Sequence, residues 1–398
     1  MQAIKSKLSV PATASDILKN ARGLKRWLNS KSNDIEMTRC LGPSVVELLT
    51  AAGVFRMNMP VSWGGPEISS PEQVQIIEEI SRGDASAGWC AMIGSDSGLY
   101  SGYLHENIAR DLYPHLDMIQ AGWVYPVGRA EEVEGGYKVS GNWQFCSGSS
   151  HADMIVAGCT VYRNGEPLID ANGQPEWRLM LASKECWEIT DTWHTTGLKG
   201  TASNDYSTLD NNLMVPREHT FSFSEPIRDG ALWRKPDAVL RKMVGVPLGL
   251  ARQAIDEAQS VLMEKGHRLS GVSYKQAATV QAGIAEAEMI LGGARSYVYA
   301  SLDTQWQRLV NNAPLSAQER ADVWLSRLNA FQAARDVTRM LYDLIGADSI
   351  YTYRTSLDRG MRDAQTMCQH LVGQRKTLAD VGSLLLAVDR EFPRSIML

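Results

Sequence analysis

The run Trp143-Gln-Phe145-Cys146-Ser147-Gly148 sets large aromatic side chains against small or hydroxylated ones. It closes a stretch, Tyr125 to Asp153 (YPVGRAEEVEGGYKVSGNWQFCSGSSHAD), that reads as strand, Gly135-Gly136 turn, strand and aromatic run. Such residues build a flat apolar wall with a few polar contacts at its edge. That wall suits a flavin ring, whose face needs apolar cover and whose edge atoms need hydrogen bonds. Taken alone, the same pattern is equally that of a β-hairpin with its aromatics in a core.

Other chemistries find no residues to carry them. The histidines (105, 115, 151, 194, 219, 267, 370) form no HxH or HExxH, so a zinc site is not expected, nor any other metal centre. The nearest approach to a nucleophile elbow, Gly94-Ser-Asp-Ser-Gly98, has Asp at its centre. Neither a Walker loop nor a GxGxxG after a strand occurs, so a flavin here must be held by a non-Rossmann fold, and the chain has no NAD(P)H fingerprint. A formal charge of −5, with no basic stripe, argues against nucleic acid. No apolar run reaches the roughly 18 residues of a membrane span, and no apolar leader precedes Asp16. Six cysteines without CxxC spacing read as reduced, buried thiols of a cytoplasmic protein.

The elements that would position these residues fall into three blocks. A chain of 398 residues should divide into two or three domains. Residues 1–120 read as helical: Val45, Leu48, Leu49 and Ala52 form a stripe ending at Gly53, and Ser70-Pro71 opens a further helix as cap and first residue. From Ser86 to His105 the helical surface is mostly small residues, which lets another group approach closely. Residues 121–228 change to period two, with β-rich runs Met154–Val161, Trp177–Leu181 and Tyr206–Val215 and Asn-Gly turns at 164 and 172, predicting an antiparallel β domain. Ser222 to Pro236 reads as a linker. Residues 229–398 return to helical spacing, Val280, Ile284, Ala287 and Leu291 first, then Ala321 to Leu344 on a helix of nearly thirty residues. Long amphipathic helices of this kind predict a four-helix bundle.

Four motifs, in order, carry a resemblance. They are Leu49-Thr-Ala-Ala-Gly53-Val-Phe-Arg with Trp63-Gly64-Gly65 and Ser86-Ala-Gly-Trp89; the Pro126 to Gly148 segment; Trp193-His-Thr-Thr-Gly197-Leu-Lys-Gly200-Thr201-Ala-Ser203; and Arg359-Gly-Met-Arg362-Asp363-Ala364 with His370 beyond. Together they cover most of the chain, and it resembles the acyl-CoA dehydrogenase superfamily, in particular its two-component flavin-dependent monooxygenases (group D). The resemblance implies an α+β fold of N-terminal helices, central β domain and C-terminal bundle, usually tetrameric. It also implies reduced FAD, with FMN the other possibility, supplied by a separate NAD(P)H-dependent reductase, and oxygenation through a C4a-hydroperoxyflavin.

By the same resemblance the family's flavin threonine falls on Ser147, after Phe145 and Cys146, where a hydroxyl reaches the N5/O4 edge; otherwise Ser147 is a strand-end serine bonded to local backbone. Trp143 belongs to the same wall and Trp193 lies beside the ring. Arg268 and Gln281 match the residues that hold the FAD pyrophosphate across a subunit boundary. Dehydrogenases of the family need a carboxylate base; its place after Arg362-Asp363-Ala364 falls on Leu371, with His370 before it and no Asp or Glu between Asp363 and Asp380. The other known place falls near Val239, with only Asp237 close by. His370 is therefore the expected catalytic donor toward the oxygen chemistry, an imidazole titrating in a useful range. Phenol-hydroxylating relatives often carry a histidine where Ser97 stands. That favours an indole or other electron-rich heteroaromatic, with Trp89, Asp96 and Ser97 on the substrate side and Asp96 placed to pair with an N–H. The rivals are an acyl-CoA dehydrogenase with a relocated base and a non-catalytic flavin-fold subunit.

Overall fold

The computed structural model describes residues 2–235, 237–264 and 273–388. The first helices are α1 (Gln2–Lys5), α2 (Ala14–Thr38), α3 (Pro43–Ala51), α4 (Ser70–Ser81), α5 (Ala85–Gly94), α6 (Asp96–Ser101) and α7 (Glu106–Leu112). Their starts follow capping chemistry. Thr13 and Asp16 close a capping box on α2, and Ser69 with Glu72 does the same for α4, so the cap lies one residue before the expected Ser70. Asp84 caps α5 by accepting the Ala87 N–H at 2.8 Å. The small-residue stretch from Ser86 is not one helix: it breaks at Ser95 into α5 and α6.

The strands are β1 (Gln120–Val133), β2 (Gly136–Ser140), β3 (Asn142–Cys146), β4 (Met154–Arg163), β5 (Glu166–Pro167), β6 (Trp177–Ser183), β7 (Trp187–Thr190), β8 (Asn204–Thr208), β9 (Leu213–Pro216) and β10 (Thr220–Phe221). The larger sheet runs β10-β6-β4-β1-β2-β9, with β5 on β4, and the smaller runs β3-β8-β7. Pairing is antiparallel except for β1 with β4, which are parallel because the chain after β3 returns to the start of β1 before β4 begins. The expected run Tyr206–Val215 divides: Asp210, in the left-handed region, turns the chain so that β8 and β9 join different sheets. The Asn164-Gly165 turn has both residues at positive φ, as a tight hairpin requires.

The C-terminal helices are α8 (Ala238–Arg241), α9 (Gly245–Glu264), α10 (Ala278–Val310), α11 (Ala317–Ile345), α12 (Leu357–Met367) and α13 (Thr377–Leu385). α9, α10 and α11 share one apolar core, and the two sheets enclose another around Trp143, Trp187 and Tyr206. A third core joins the first helices to β4 and β6 and to Phe331, Met367 and Val372 of the bundle. The three blocks therefore meet, and Trp89 and the segment around His370 lie at that meeting.

Candidate active site

Ser147 follows β3, where the strand is broken in an informative way. The β3–β8 register slips between Trp143 and Cys146, and Phe145 sits at φ +62°, uncommon for a bulky residue. Strict alternation would put Trp143 and Phe145 on one face; the slip turns them apart. Trp143 points inward, fully buried, donating to the Gly158 carbonyl at 2.8 Å and stacking on Tyr206. Phe145 points outward and is 45% exposed. Its ring lies 5.3 Å from Trp123 and meets Trp193 edge-on at 6.2 Å.

Beside these rings, β1 bulges. Its register on β4 is lost between Trp123 and Gly128, which leaves Val124 to Val127 without a ladder partner there, with Tyr125 and Val127 facing outward. Position 158 must be glycine for this: a Cβ would sit 2.3 Å from the Val124 carbonyl oxygen and 2.5 Å from that of Tyr125. Three partly exposed rings, strand backbone released from the β4 ladder and a hydroxyl beside them are what an isoalloxazine needs, and this set of residues fits one.

The Ser147 hydroxyl is buried and sits in a chain of polar contacts. The Trp89 indole N–H donates to it at 3.0 Å, Ser203 Oγ lies 2.7 Å away, Thr201 Oγ1 lies 2.7 Å beyond that, and Thr201 donates to the Leu198 carbonyl at 2.8 Å. On the far side of Trp89, the His370 ring stands edge-to-face at 5.7 Å. His370 heads a short turn after α12. α11 fixes that turn: Gln332 donates to the Gly373 carbonyl at 2.7 Å, and the Cys368 thiol reaches the Phe331 carbonyl at 3.3 Å. His370 Nδ1 faces the Val372 N–H at 3.4 Å, so the neutral ring carries its proton on Nε2. Burial pushes the imidazole pKa down to about 4. Near neutral pH it is therefore a hydrogen-bond donor and not the titrating acid its ordinary value suggested.

Trp193 sits on a loop locked to α12. Its indole N–H donates to the Leu198 carbonyl at 2.9 Å, and Asn204 accepts its backbone N–H at 3.1 Å. Asp363 accepts the Leu198 N–H at 2.6 Å, and Arg362 donates to the Thr196 carbonyl at 2.8 Å. A Cβ at Gly197 would lie 2.2 Å from the Arg362 carbonyl oxygen, so the close approach requires glycine. The Arg362-Asp363 pair is thus a clamp for the aromatic loop.

Several expected contacts are corrected. Trp143 and Cys146 lie in the core between the sheets, and neither side chain offers a face to a ligand. Asp96 is buried and ion-paired with Lys242, so its charge is already neutralised. Ser97 is buried, with its hydroxyl donated to the Met118 carbonyl at 2.7 Å. Gln281 is not among these: it is exposed near the start of α10, where one chain alone does not bear on a contact across a subunit boundary, and its amide donates to the Lys275 carbonyl at 3.0 Å. Arg268 lies outside the described residues. Trp123 and the β1 bulge join the site from the structure alone, as does the role of the Thr201 and Ser203 hydroxyls, which the sequence shows only within a motif. Gly122, Pro126 and Gly128 around Trp123 were the available signal for the bulge.

The carboxylates on the surrounding elements are committed. Asp237 is held by Arg241 at 2.9 Å, Arg327 at 2.6 Å and the Gln305 amide at 2.6 Å, and its two arginines keep its pKa far below the ordinary carboxylate range. Asp84 caps α5, Asp96 pairs with Lys242, and Asp363 holds Leu198.

Residues 21–107 match the acyl-CoA dehydrogenase N-terminal domain and residues 243–375 the acyl-CoA dehydrogenase C-terminal domain. Indole-3-acetate monooxygenase of Acinetobacter baumannii is 30% identical over 85% of both chains. This chain belongs to the acyl-CoA dehydrogenase superfamily, among its flavin-dependent monooxygenases. It is an oxidoreductase with a flavin cofactor. The fold agrees with solved members. The 3-HSA hydroxylase of Rhodococcus sp. RHA1 superposes with a TM-score of 0.86 at 20% identity, covering 96% of this chain and 99% of that one. XiaF from Streptomyces sp., solved with FADH2 and glycerol, gives 0.85 at 18% identity, covering 98% and 99%. Among the described residues no helix is long and apolar enough to cross a membrane.

Proposed function

We propose that this member oxygenates a small electron-rich heteroaromatic of the indole type, using reduced FAD delivered by a separate reductase. The observation that carries the reading is the Ser147–Trp89–His370 arrangement. A single indole spans an acceptor hydroxyl at 3.0 Å and a neutral imidazole at 5.7 Å, in a region where Asp84, Asp96, Asp237 and Asp363 are engaged by other groups. Reduced flavin, when bound, supplies the electrons that activate O2. The chain's own residues do the rest. Phe145, Trp193 and Trp123 would cover the ring, Ser147 would meet its N5 edge, and His370 Nε2–H would donate a hydrogen bond toward the site, with the apolar surroundings limiting water.

The substrate class draws on two supports. Ser97 stands where phenol-hydroxylating relatives often have a histidine, and its hydroxyl is spent on Met118, so nothing there deprotonates a phenol. The relative from Acinetobacter baumannii is named for indole-3-acetate. The exposed Met263 and Met289 on α9 and α10 offer apolar surface for the homotetramer we assign. All six cysteines are unpaired, which suits a reducing cytoplasm.

The test is to turn over the protein with reduced FAD, a flavin reductase and 18O2 in the presence of indole or indole-3-acetate. Mass spectrometry should find one labelled oxygen in the product. An unlabelled product, or oxidation of a CoA thioester with an artificial electron acceptor in the same preparation, would overturn the assignment.

A further inference from the structure

The hydroxyl chain behind Ser147 has a direction, and it follows from counting protons. The Leu198 carbonyl can only accept; it also receives the Trp193 indole N–H at 2.9 Å and the Thr201 N–H at 3.1 Å, but its 2.8 Å contact with Thr201 Oγ1 can hold no proton except the Thr201 hydroxyl's. Thr201 Oγ1 then has only lone pairs to offer Ser203, 2.7 Å away, so Ser203 donates to it. By the same count Ser147 donates to Ser203 across 2.7 Å. The Trp89 indole N–H, a donor only, fills one Ser147 lone pair at 3.0 Å. Thr201 and Ser203 are buried, so bulk water does not compete for these bonds. Ser147 is left with no proton to give and one lone pair to fill.

We infer that Thr201, Ser203 and Trp89 are positioning residues that make Ser147 an obligate acceptor, and that this polarity selects the reduced flavin. The inference rests on the reading that Ser147 meets N5. Reduced isoalloxazine carries N–H at N5, which an acceptor satisfies; the oxidised ring carries a lone pair there, which an acceptor opposes. An oxygenase fed with reduced flavin by another protein is served by such a bias, since the cofactor is held while it is useful and released once oxidised. The selectivity lies in residues that never touch the ring.

Anaerobic titrations with oxidised FAD and with dithionite-reduced FAD test this, comparing the ratio of the two dissociation constants among variants. In Ser203→Ala the Ser147 proton is freed to donate to oxidised N5. Oxidised FAD should then bind about three- to tenfold more tightly, the worth of one net hydrogen bond, while reduced FAD changes little. Thr201→Val should lower the ratio in the same direction, because Ser203, having lost its acceptor, can turn and donate to Ser147. Thr201→Ser keeps the polarity and should keep the wild-type ratio. Equal weakening of both forms in Ser203→Ala and Thr201→Val, or an unchanged ratio in both, would overturn the inference. Ser147→Ala separates the two layers. If it binds both flavins as the wild type does, the placement of Ser147 at N5 is wrong; if it loses reduced-flavin affinity while Ser203→Ala leaves the ratio unchanged, only the polarity is wrong.

Discussion

At His370 the burial that holds the ring in place also decides which form of it acts. With a pKa pushed down to about 4, the imidazole is neutral across the range where an ordinary histidine titrates, and it contributes an N–H in place of a charge. His370→Asn, which keeps a donor, should retain most of the coupled oxygenation. His370→Leu should raise the uncoupled release of hydrogen peroxide about tenfold, the loss expected for one buried hydrogen bond; a peroxide-specific assay with the reductase present decides it. The pH dependence follows in sign. The folded-state pKa lies below the ordinary 6.5, so the unfolded chain binds the proton more readily. The stability this group contributes is complete above about 6.5 and is lost as the pH falls toward about 4. Coupling that titrated with an imidazole pKa near 6.5 would contradict the neutral-donor role. At this scale the sequence was a partial guide. The aromatic run foretold an outward ring, which Phe145 supplies, whereas Trp143 turns inward because the strand register slips at the left-handed Phe145 and breaks the period of two. Asp96 could not be read correctly, because Lys242, the residue that neutralises it, is 146 positions away.

Among the elements, the joint between α12 and the Trp193 loop matters most. Asp363 is buried there, and burial, reinforced by Asp84, raises its pKa to about 7 despite the Leu198 N–H and the nearby Arg359 and Arg362. The sign is opposite to that of His370. A carboxyl whose folded pKa lies above its ordinary 3.8 favours the folded state at low pH, and that contribution is lost as the pH rises through about 7. Asp363→Asn retains an acceptor without the charge, so its stability relative to the wild type should improve between pH 4 and pH 8. Asp363→Ala leaves the Leu198 N–H without a partner and should cost about 1–3 kcal/mol. Urea midpoints at the two pH values test both; an Asn variant whose difference from the wild type does not change with pH would contradict the account of the clamp. In the sequence, Arg362 and Asp363 stand out only as part of a resemblance. Their work as a clamp was invisible because the loop they hold lies 165 residues earlier.

Across the whole molecule, the order of helices, strands and bundle was legible because hydrophobic period changes twice along the chain, at about Ala121 and again by Ala238. What periodicity could not show was how the blocks meet. One apolar core runs from the first helices through β4 and β6 to α11 and α12, and it brings Trp89, Ser147 and His370 together from three distant segments. The same long-range assembly ties Asp237 to Arg241 and Arg327, which removes it from service as a base. The central claim is that this meeting point manages oxygen at a reduced flavin and does not abstract a proton from a thioester. Rapid mixing of the protein and reduced FAD with oxygenated buffer tests it most directly. A spectral transient that outlasts free-flavin reoxidation and decays faster in His370→Leu is expected; direct reoxidation with the time course of free flavin would overturn the oxygenase reading.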